Sequence, residues 1–97
     1  LFVGTASAQY RVDRLITAGE VRFIIKTMYF IKYFNLAIGA KPYLYEPWYY
    51  RIVAKFNLDD FVGAEGDANE ALKLNPYIND IYDLRAITRI RQGRYHE

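Results

Sequence analysis

The sequence predicts an all-α fold in which one type of helical hairpin is repeated. Apolar residues recur every three or four positions from Tyr45 onward, which is the spacing of an amphipathic helix. The short segments around Pro42 and Pro76 are similar, and the two prolines are 34 residues apart, which indicates an internal repeat. Only a few residues separate successive predicted helices, so neighbouring helices must run antiparallel. We therefore expect about five helices in the 97 residues, as two hairpins and the first helix of a third.

The composition is that of a small globular domain or of part of a larger one. Hydrophobic residues make up 53% of the chain and charged residues 25%. Thirteen Lys and Arg residues against eleven Asp and Glu residues leave a net charge of +2, with the two signs alternating along the chain. This balance argues against a nucleic-acid partner, because phosphate binding usually needs a concentrated basic stripe. The absence of cysteine excludes a disulfide framework, a thiolate zinc site and a thiol nucleophile.

Residues 1–8 have the features of a signal-peptide remnant. Ala6 and Ala8 match the small residues that signal peptidase reads, which predicts cleavage between Ala8 and Gln9. The protein is then expected to be exported to the periplasm or cell envelope, and to be cytoplasmic if no cleavage occurs. The most apolar later stretch, 21–40, is interrupted by Arg22, Lys26 and Lys32, so no transmembrane span is predicted.

The elements follow from local signals. Residues 9–44 are predicted to form a divergent first repeat, and residues 45–78 the best-matching one. In the second repeat, the first helix has an apolar stripe made of Trp48, Tyr49, Ile52, Val53 and Phe56. Asp59 and Asp60 can cap the next helix, whose apolar face consists of Phe61, Ala64, Ala68, Ala71 and Leu72.

The second helix of this repeat should end near Leu74, because Pro76 disfavours helical geometry at Asn75. Asn79 is the predicted cap of the following helix, whose apolar face consists of Ile81, Tyr82, Leu84, Ile87 and Ile90. Residues 79–97 then form a truncated third repeat with only its first helix, and the natural chain is expected to continue.

When the sequence is aligned with itself at an offset of 34 residues, similar residues coincide. Trp48 falls on Tyr82, Arg51 on Arg85, Lys55 on Arg89, Phe56 on Ile90 and Phe61 on Tyr95. The unit with Trp48, Ala64, Ala71 and Pro76 resembles the tetratricopeptide repeat, which implies a right-handed solenoid of helical hairpins. The sequence departs from the family pattern at Phe30 and Ile52, where small residues are preferred, and at Asp59, where glycine is preferred.

The resemblance implies a function in protein–protein interaction. In this family the first helices of the hairpins line a concave groove that binds an extended peptide. The corresponding positions here are Glu46, Tyr49, Val53, Phe56, Asn57, Asp80, Asp83, Ile87, Ile90 and Arg91. Tyr49 and Val53 occupy positions at which chaperone-binding members hold a carboxylate with Lys and Asn, so that clamp is absent. The groove is expected to suit an aromatic or aliphatic peptide anchor.

Other interpretations remain open at this point. The chain could be the N-terminal recognition module of a larger secreted enzyme or receptor, or its repeat surface could self-associate. A pentatricopeptide RNA reader and a generic helical bundle are the alternative folds. The basic residues on the first helices could form a solvated face or meet an acidic partner, and they are Arg51, Lys55, Arg85, Arg89 and Arg91.

No catalytic or metal-binding constellation is expected. His96 is the only histidine and Ser7 the only serine, so neither a histidine-dependent triad nor a metal site has enough candidate residues. Asp59 and Asp60 are adjacent, and helix capping accounts for them better than acid–base chemistry does. The glycines form no phosphate-binding cluster, and no cofactor is predicted.

Overall fold

The computed structural model describes residues 18–94, and this part of the chain is all-helical. It contains four helices and no strand: α1 (Ala18–Ala40), α2 (Tyr45–Asn57), α3 (Phe61–Leu74) and α4 (Asn79–Arg91). The all-α prediction is therefore confirmed for these residues. The predicted cleavage site and the predicted positions of Tyr95 and His96 lie outside the described range. No helix between residues 18 and 94 combines the length and the apolar character needed to cross a membrane.

The described residues hold four helices where the sequence predicts about five in the whole chain. Within the described part of the first repeat, Ala18–Ala40 is one continuous helix of 23 residues and not a hairpin. In the second repeat the hairpin turn contains Asp59, whose φ is 60°. Ile25 lies one repeat period earlier. A β-branched residue strongly disfavours positive φ, and no glycine or proline stands beside it to break the helix.

The turn between α2 and α3 is closed by local hydrogen bonds. The backbone N–H of Asp60 donates to the Lys55 carbonyl at 2.9 Å, while the Asp60 carboxylate accepts from the N–H of Gly63 at 3.0 Å. Asp60 is therefore the N-cap of α3, and it is one of the two aspartates that the sequence predicts as caps of this helix. A Cβ atom at residue 63 would meet the capping carboxylate of Asp60, so a larger residue there would shift this side chain from its present position.

The predicted end of α3 is confirmed, whereas the predicted cap of α4 is wrong. Helix α3 ends at Leu74, and the Asn75 side chain accepts a hydrogen bond from the backbone N–H of Tyr77 at 3.1 Å. Helix α4 already includes Asn79, and its N-cap is Ile78, which makes no side-chain capping bond. Ile78 has an extended backbone, with φ −88° and ψ 98°, so the helix begins one residue earlier than the capping pattern predicts.

Helix α3 lies between α2 and α4 and supplies most of the core. Each helix packs against its neighbour in sequence, and α2 also contacts α4. The buried cluster consists of Ile52, Ala64, Ala68, Ala71, Leu72 and Ile81. Three of these residues are alanines of α3, and their small side chains allow the adjacent helices to approach closely. Trp48 is half-buried against this cluster rather than enclosed by it.

The 34-residue period is present in the contacts at the proline turns. The Trp48 indole donates to the Pro42 carbonyl at 3.0 Å, and the Tyr82 hydroxyl donates to the Pro76 carbonyl at 2.9 Å. Each of the two pairs spans six residues, and one is the other shifted by one period. The aromatic residue at this position thus uses its polar group to hold the preceding turn in both copies.

Two further features recur with the same period. Arg51 donates to the Asn35 side chain at 2.7 Å, and Arg85 donates to the Asn69 side chain at 3.0 Å. The turn after α4 places Gly93 at a φ of 79°, one period after Asp59. The chain therefore repeats side-chain contacts and turn geometry, in addition to residue types.

Candidate interaction surface

A cleft of about 270 Å³ separates α2 from α4 and is lined by part of the predicted groove. Tyr49 and Val53 contribute from α2, and Asp80, Asp83 and Leu84 contribute from α4. We call these five residues the α2/α4 cleft. Four of them are among the ten residues assigned to the groove by the resemblance, and Leu84 is an addition.

Helical spacing brings these side chains together. Tyr49 and Val53 are four residues apart and therefore share one side of α2, and the same is true of Asp80 and Leu84 on α4. Because hairpin neighbours are antiparallel, α2 and α4 run in the same direction, and their N-terminal turns lie at the same end of the cleft. Glu46 is exposed in the first turn of α2.

The N-terminal end of the cleft is consequently acidic. Glu46, Asp80 and Asp83 are all exposed, and none of them has a cation within ion-pair distance in the described part of the chain. The helix dipole interacts favourably with carboxylates near a helix N-terminus, and this offsets part of the repulsion among these negative charges. Together with the apolar side chains of Tyr49 and Leu84, they present a negative rim around an apolar floor.

The opposite end of this surface is aromatic and basic. Phe56 meets Phe61 of α3 edge to face, with ring centroids 5.3 Å apart. The Arg91 guanidinium lies 5.6 Å from the Phe56 ring centroid and 5.5 Å from that of Phe61. Phe56 also packs against the buried cluster, so its apolar area is divided between core and surface. Arg91 makes no ion pair within residues 18–94.

The remaining predicted groove residues do not line the cleft. Ile87 and Ile90 lie on the exposed surface of α4, outside the lining of the α2/α4 cleft. Asn57 lines a different cleft, between α2 and α1. The ten predicted positions are thus distributed over the acidic α2/α4 cleft, its aromatic–basic end, the outer surface of α4 and, for Asn57, the cleft between α1 and α2.

The cleft between α1 and α2 has a volume of about 310 Å³ and was not predicted. Its lining consists of Phe23, Thr27, Phe30, Phe34, Tyr50, Val53, Ala54 and Asn57. The Phe34 and Tyr50 rings stack across it with centroids 5.7 Å apart. The spacing of Phe23, Phe30 and Phe34 was the available signal, since they share one helical face only if α1 does not break.

Two of the basic residues on α2 bind a buried carboxylate of α3. Arg51 donates to both oxygens of Asp67, at 2.8 and 2.7 Å, and the Lys55 ammonium lies 3.0 Å from Oδ2. Asp67 is only 4% exposed. A buried carboxylate loses its hydration, and the free-energy cost of this loss must be offset by hydrogen bonds and ion pairs such as these. These two cations therefore hold the hairpin together instead of forming a free basic face.

A second buried carboxylate joins α3 to α4. Glu65 accepts hydrogen bonds from Arg89 at 2.7 Å, from Arg94 at 2.5 Å and from Gln92 at 3.0 Å. Burial by itself raises the pKa of Glu65, but the bonds from Arg89, Arg94 and Gln92 outweigh it and lower the pKa from 4.5 to about 2. Arg85 instead bonds Asn69, so three of the five predicted basic-face residues are neutralised by α3.

Within residues 18–94, no group of three or more His, Cys, Asp or Glu residues is arranged to hold a metal ion. The recognisable features of this surface are therefore its shape, its apolar floor and its charge distribution. Neither a protein-family model nor a curated protein nor a solved structure matches the chain.

Proposed function

We propose that the protein is a tetratricopeptide-type scaffold that binds a peptide or protein segment in the α2/α4 cleft. In this proposal α2 and α4 are the first helices of successive hairpins in a right-handed solenoid. Peptide binding, and not catalysis, is the activity of this part of the chain. The protein acts outside the cytoplasm if residues 1–8 are removed as a signal peptide.

The repeated contacts are the principal support for this proposal. Trp48 and Tyr82 bond the carbonyls of Pro42 and Pro76 in the same way, and the turns after α2 and α4 each contain a residue with positive φ at the equivalent position. Repeats that share contacts as well as residue types stack with a constant geometry, which aligns their first helices along one surface. A segment lying on that surface would contact equivalent positions in successive repeats.

The cleft has the chemistry of a peptide site. Tyr49 provides a ring and a hydroxyl, with less conformational entropy to lose than a long flexible side chain. Val53 and Leu84 extend the apolar floor, and Asp80 and Asp83 bound it on one side. A partner that inserts an aromatic or aliphatic anchor beside a basic residue would satisfy both features.

The test is selection of a phage-displayed random peptide library against the chain, followed by calorimetric titration of the selected peptides. Tyr49→Ala should weaken binding by roughly 1–3 kcal/mol, because it removes the proposed anchor contact. Asp83→Lys should also weaken it through charge reversal, and since Asp83 is exposed this variant should fold normally.

Tyr77→Ala is the matched control. Tyr77 is 86% exposed and lies in the turn before α4, so its removal should leave peptide affinity unchanged. Retention of full affinity in both Tyr49→Ala and Asp83→Lys, with helical content preserved, would exclude the α2/α4 cleft as the binding site. Equal losses in the Tyr77 control would indicate a non-specific effect and would contradict the proposal as well.

A further inference from the structure

The side of α1 that faces away from α2, α3 and α4 is both apolar and basic. Its residues are Val21, Arg22, Ile25, Lys26, Met28, Tyr29, Lys32, Tyr33 and Leu36, and we call this set the outer face of α1. Leu36 is 76% exposed and Tyr29 67% exposed. Exposure of this much apolar side chain on one helix is unusual for a surface that meets only water.

The arrangement follows from helix geometry. Ile25, Tyr29 and Leu36 are separated by four and seven residues, so they form one stripe along the helix. The buried residues Thr27 and Ile38 lie about half a turn away, on the side that packs against the protein. The stripe thus runs along the part of α1 that is farthest from α2.

Basic residues flank this stripe on both sides. At about 100° per residue, Arg22 and Lys26 lie to one side of it and Lys32 to the other. Lys32 lies over the Tyr29 ring, with its ammonium 6.0 Å from the centroid. The outer face contains no acidic residue, and the single acidic residue of α1, Glu20, lies on the side of Thr27. Long basic side chains in such positions can keep their charges at a polar interface while their stems cover apolar area.

The charge pattern decides between possible occupants. A second copy of the chain that docked through the same face would bring Arg22, Lys26 and Lys32 close to their counterparts, and like charges in contact oppose association. A bilayer surface that carries anionic lipids provides both complements, namely negative headgroups for the basic residues and an acyl boundary for the apolar stripe. At 23 residues, α1 is long enough to lie along such a surface over several turns.

We propose that α1 binds the surface of an anionic bilayer through its outer face, lying in the interface plane. Ile25, Tyr29 and Leu36 enter the boundary between headgroups and acyl chains, while Lys26 and Lys32 contact lipid phosphates. The α2/α4 cleft lies beyond α2 from this face, so lipid binding and peptide binding use different surfaces. This proposal is independent of the peptide-binding function.

The experiment is co-sedimentation of the chain with large vesicles. Vesicles of mixed phosphatidylserine and phosphatidylcholine should bind the protein, and vesicles of phosphatidylcholine alone should bind it far more weakly. Raising the salt concentration from about 0.1 M to about 1 M shortens the screening length from about 10 Å to about 3 Å and should release much of the bound protein. Replacement of both Lys26 and Lys32 by Gln should lower the partition coefficient by about thirtyfold.

The apolar contribution is tested separately. Leu36→Gln should weaken binding to the mixed vesicles while leaving its salt dependence unchanged. Val62→Gln is the matched control, because Val62 is 71% exposed on α3, outside the outer face of α1. Lys73→Gln is the corresponding charge control, since Lys73 lies on α3 and pairs with Glu70 at the surface.

Three results would overturn the proposal. The first is failure of the unmodified chain to bind the mixed vesicles at low salt. The second is equal weakening by the α3 controls and the α1 variants. The third is concentration-dependent dimerisation, measured by light scattering, that Leu36→Gln abolishes without any effect on vesicle binding; this would assign the outer face to self-association.

Discussion

At the scale of single residues, Glu65 couples helix packing to pH. Its folded-state pKa of about 2 lies below the usual 4.5, so the ionised carboxylate favours the folded state. This contribution to the free energy of unfolding is complete above about pH 4.5 and is lost as the pH falls toward 2. We expect Glu65→Gln to lower stability at neutral pH by roughly 1–3 kcal/mol, and to reduce the acid dependence over that pH range.

Urea unfolding followed by circular dichroism across this pH range measures both effects. Glu70→Gln is the control, because Glu70 pairs with Lys73 at the surface, where their side chains are 47% and 71% exposed. Such an exposed pair contributes at most about 1 kcal/mol, so this variant should retain the acid dependence. An unchanged pH profile in Glu65→Gln would mean that another group causes the acid sensitivity.

Asp59 and Gly93 occupy the same turn position in successive repeats. Asp59 has a φ of 60° and Gly93 a φ of 79°, and only glycine adopts such values without steric cost. We expect Asp59→Gly to stabilise the protein by roughly 0.5–1 kcal/mol and Gly93→Ala to destabilise it by about 1 kcal/mol. Thermal unfolding of the two variants should shift in opposite directions, and shifts of the same sign would contradict this assignment.

At the scale of elements, we expect the packing of α2 on α3 to depend on a space that Ile52 and Ala68 share. Ile52 and Ala68 are both fully buried in the same cluster. Ile52→Ala should cost about 2–5 kcal/mol by opening a cavity, and Ala68→Leu about 1–3 kcal/mol by overpacking. The double variant should be more stable than the sum of the two losses predicts. Additive free energies of unfolding would show that the two side chains do not share one space.

Helix α1 shows where the repeat period by itself was insufficient. The repeat pattern favours a hairpin over residues 9–44, yet Ala18–Ala40 is continuous because Ile25 and Lys26 provide neither a cap nor a left-handed turn. The lack of a capping residue and of a turn residue at these positions can be seen in the sequence itself. The consequences required the structure, since continuity of α1 creates both the cleft of Phe23 and Phe30 and the exposed outer face.

At the scale of the whole molecule, α3 is the element that joins α2 to α4, while α1 packs on α2. Asp67 pairs with Arg51 and Lys55 of α2, and Glu65 pairs with Arg89 of α4, so two buried carboxylates tie α3 to both neighbours. The surface that remains for partners is consequently less basic than the composition of α2 and α4 indicates. This leaves the acidic α2/α4 cleft and the basic outer face of α1 as surfaces of opposite charge.

The sequence by itself determined the helical class and the limits of α2 and α3, because these depend on interactions between residues close in the chain. It also determined the 34-residue period, which is a similarity between segments of the sequence. Apolar spacing, the cap at Asp60 and the proline after Leu74 are all local signals. Only the tertiary structure decided which cations are neutralised, which groove residues meet and which face of α1 is uncovered. These outcomes depend on how each helix is rotated against its neighbour, as in the pairing of Arg51 with Asp67 across 16 residues, and a local pattern does not contain that rotation.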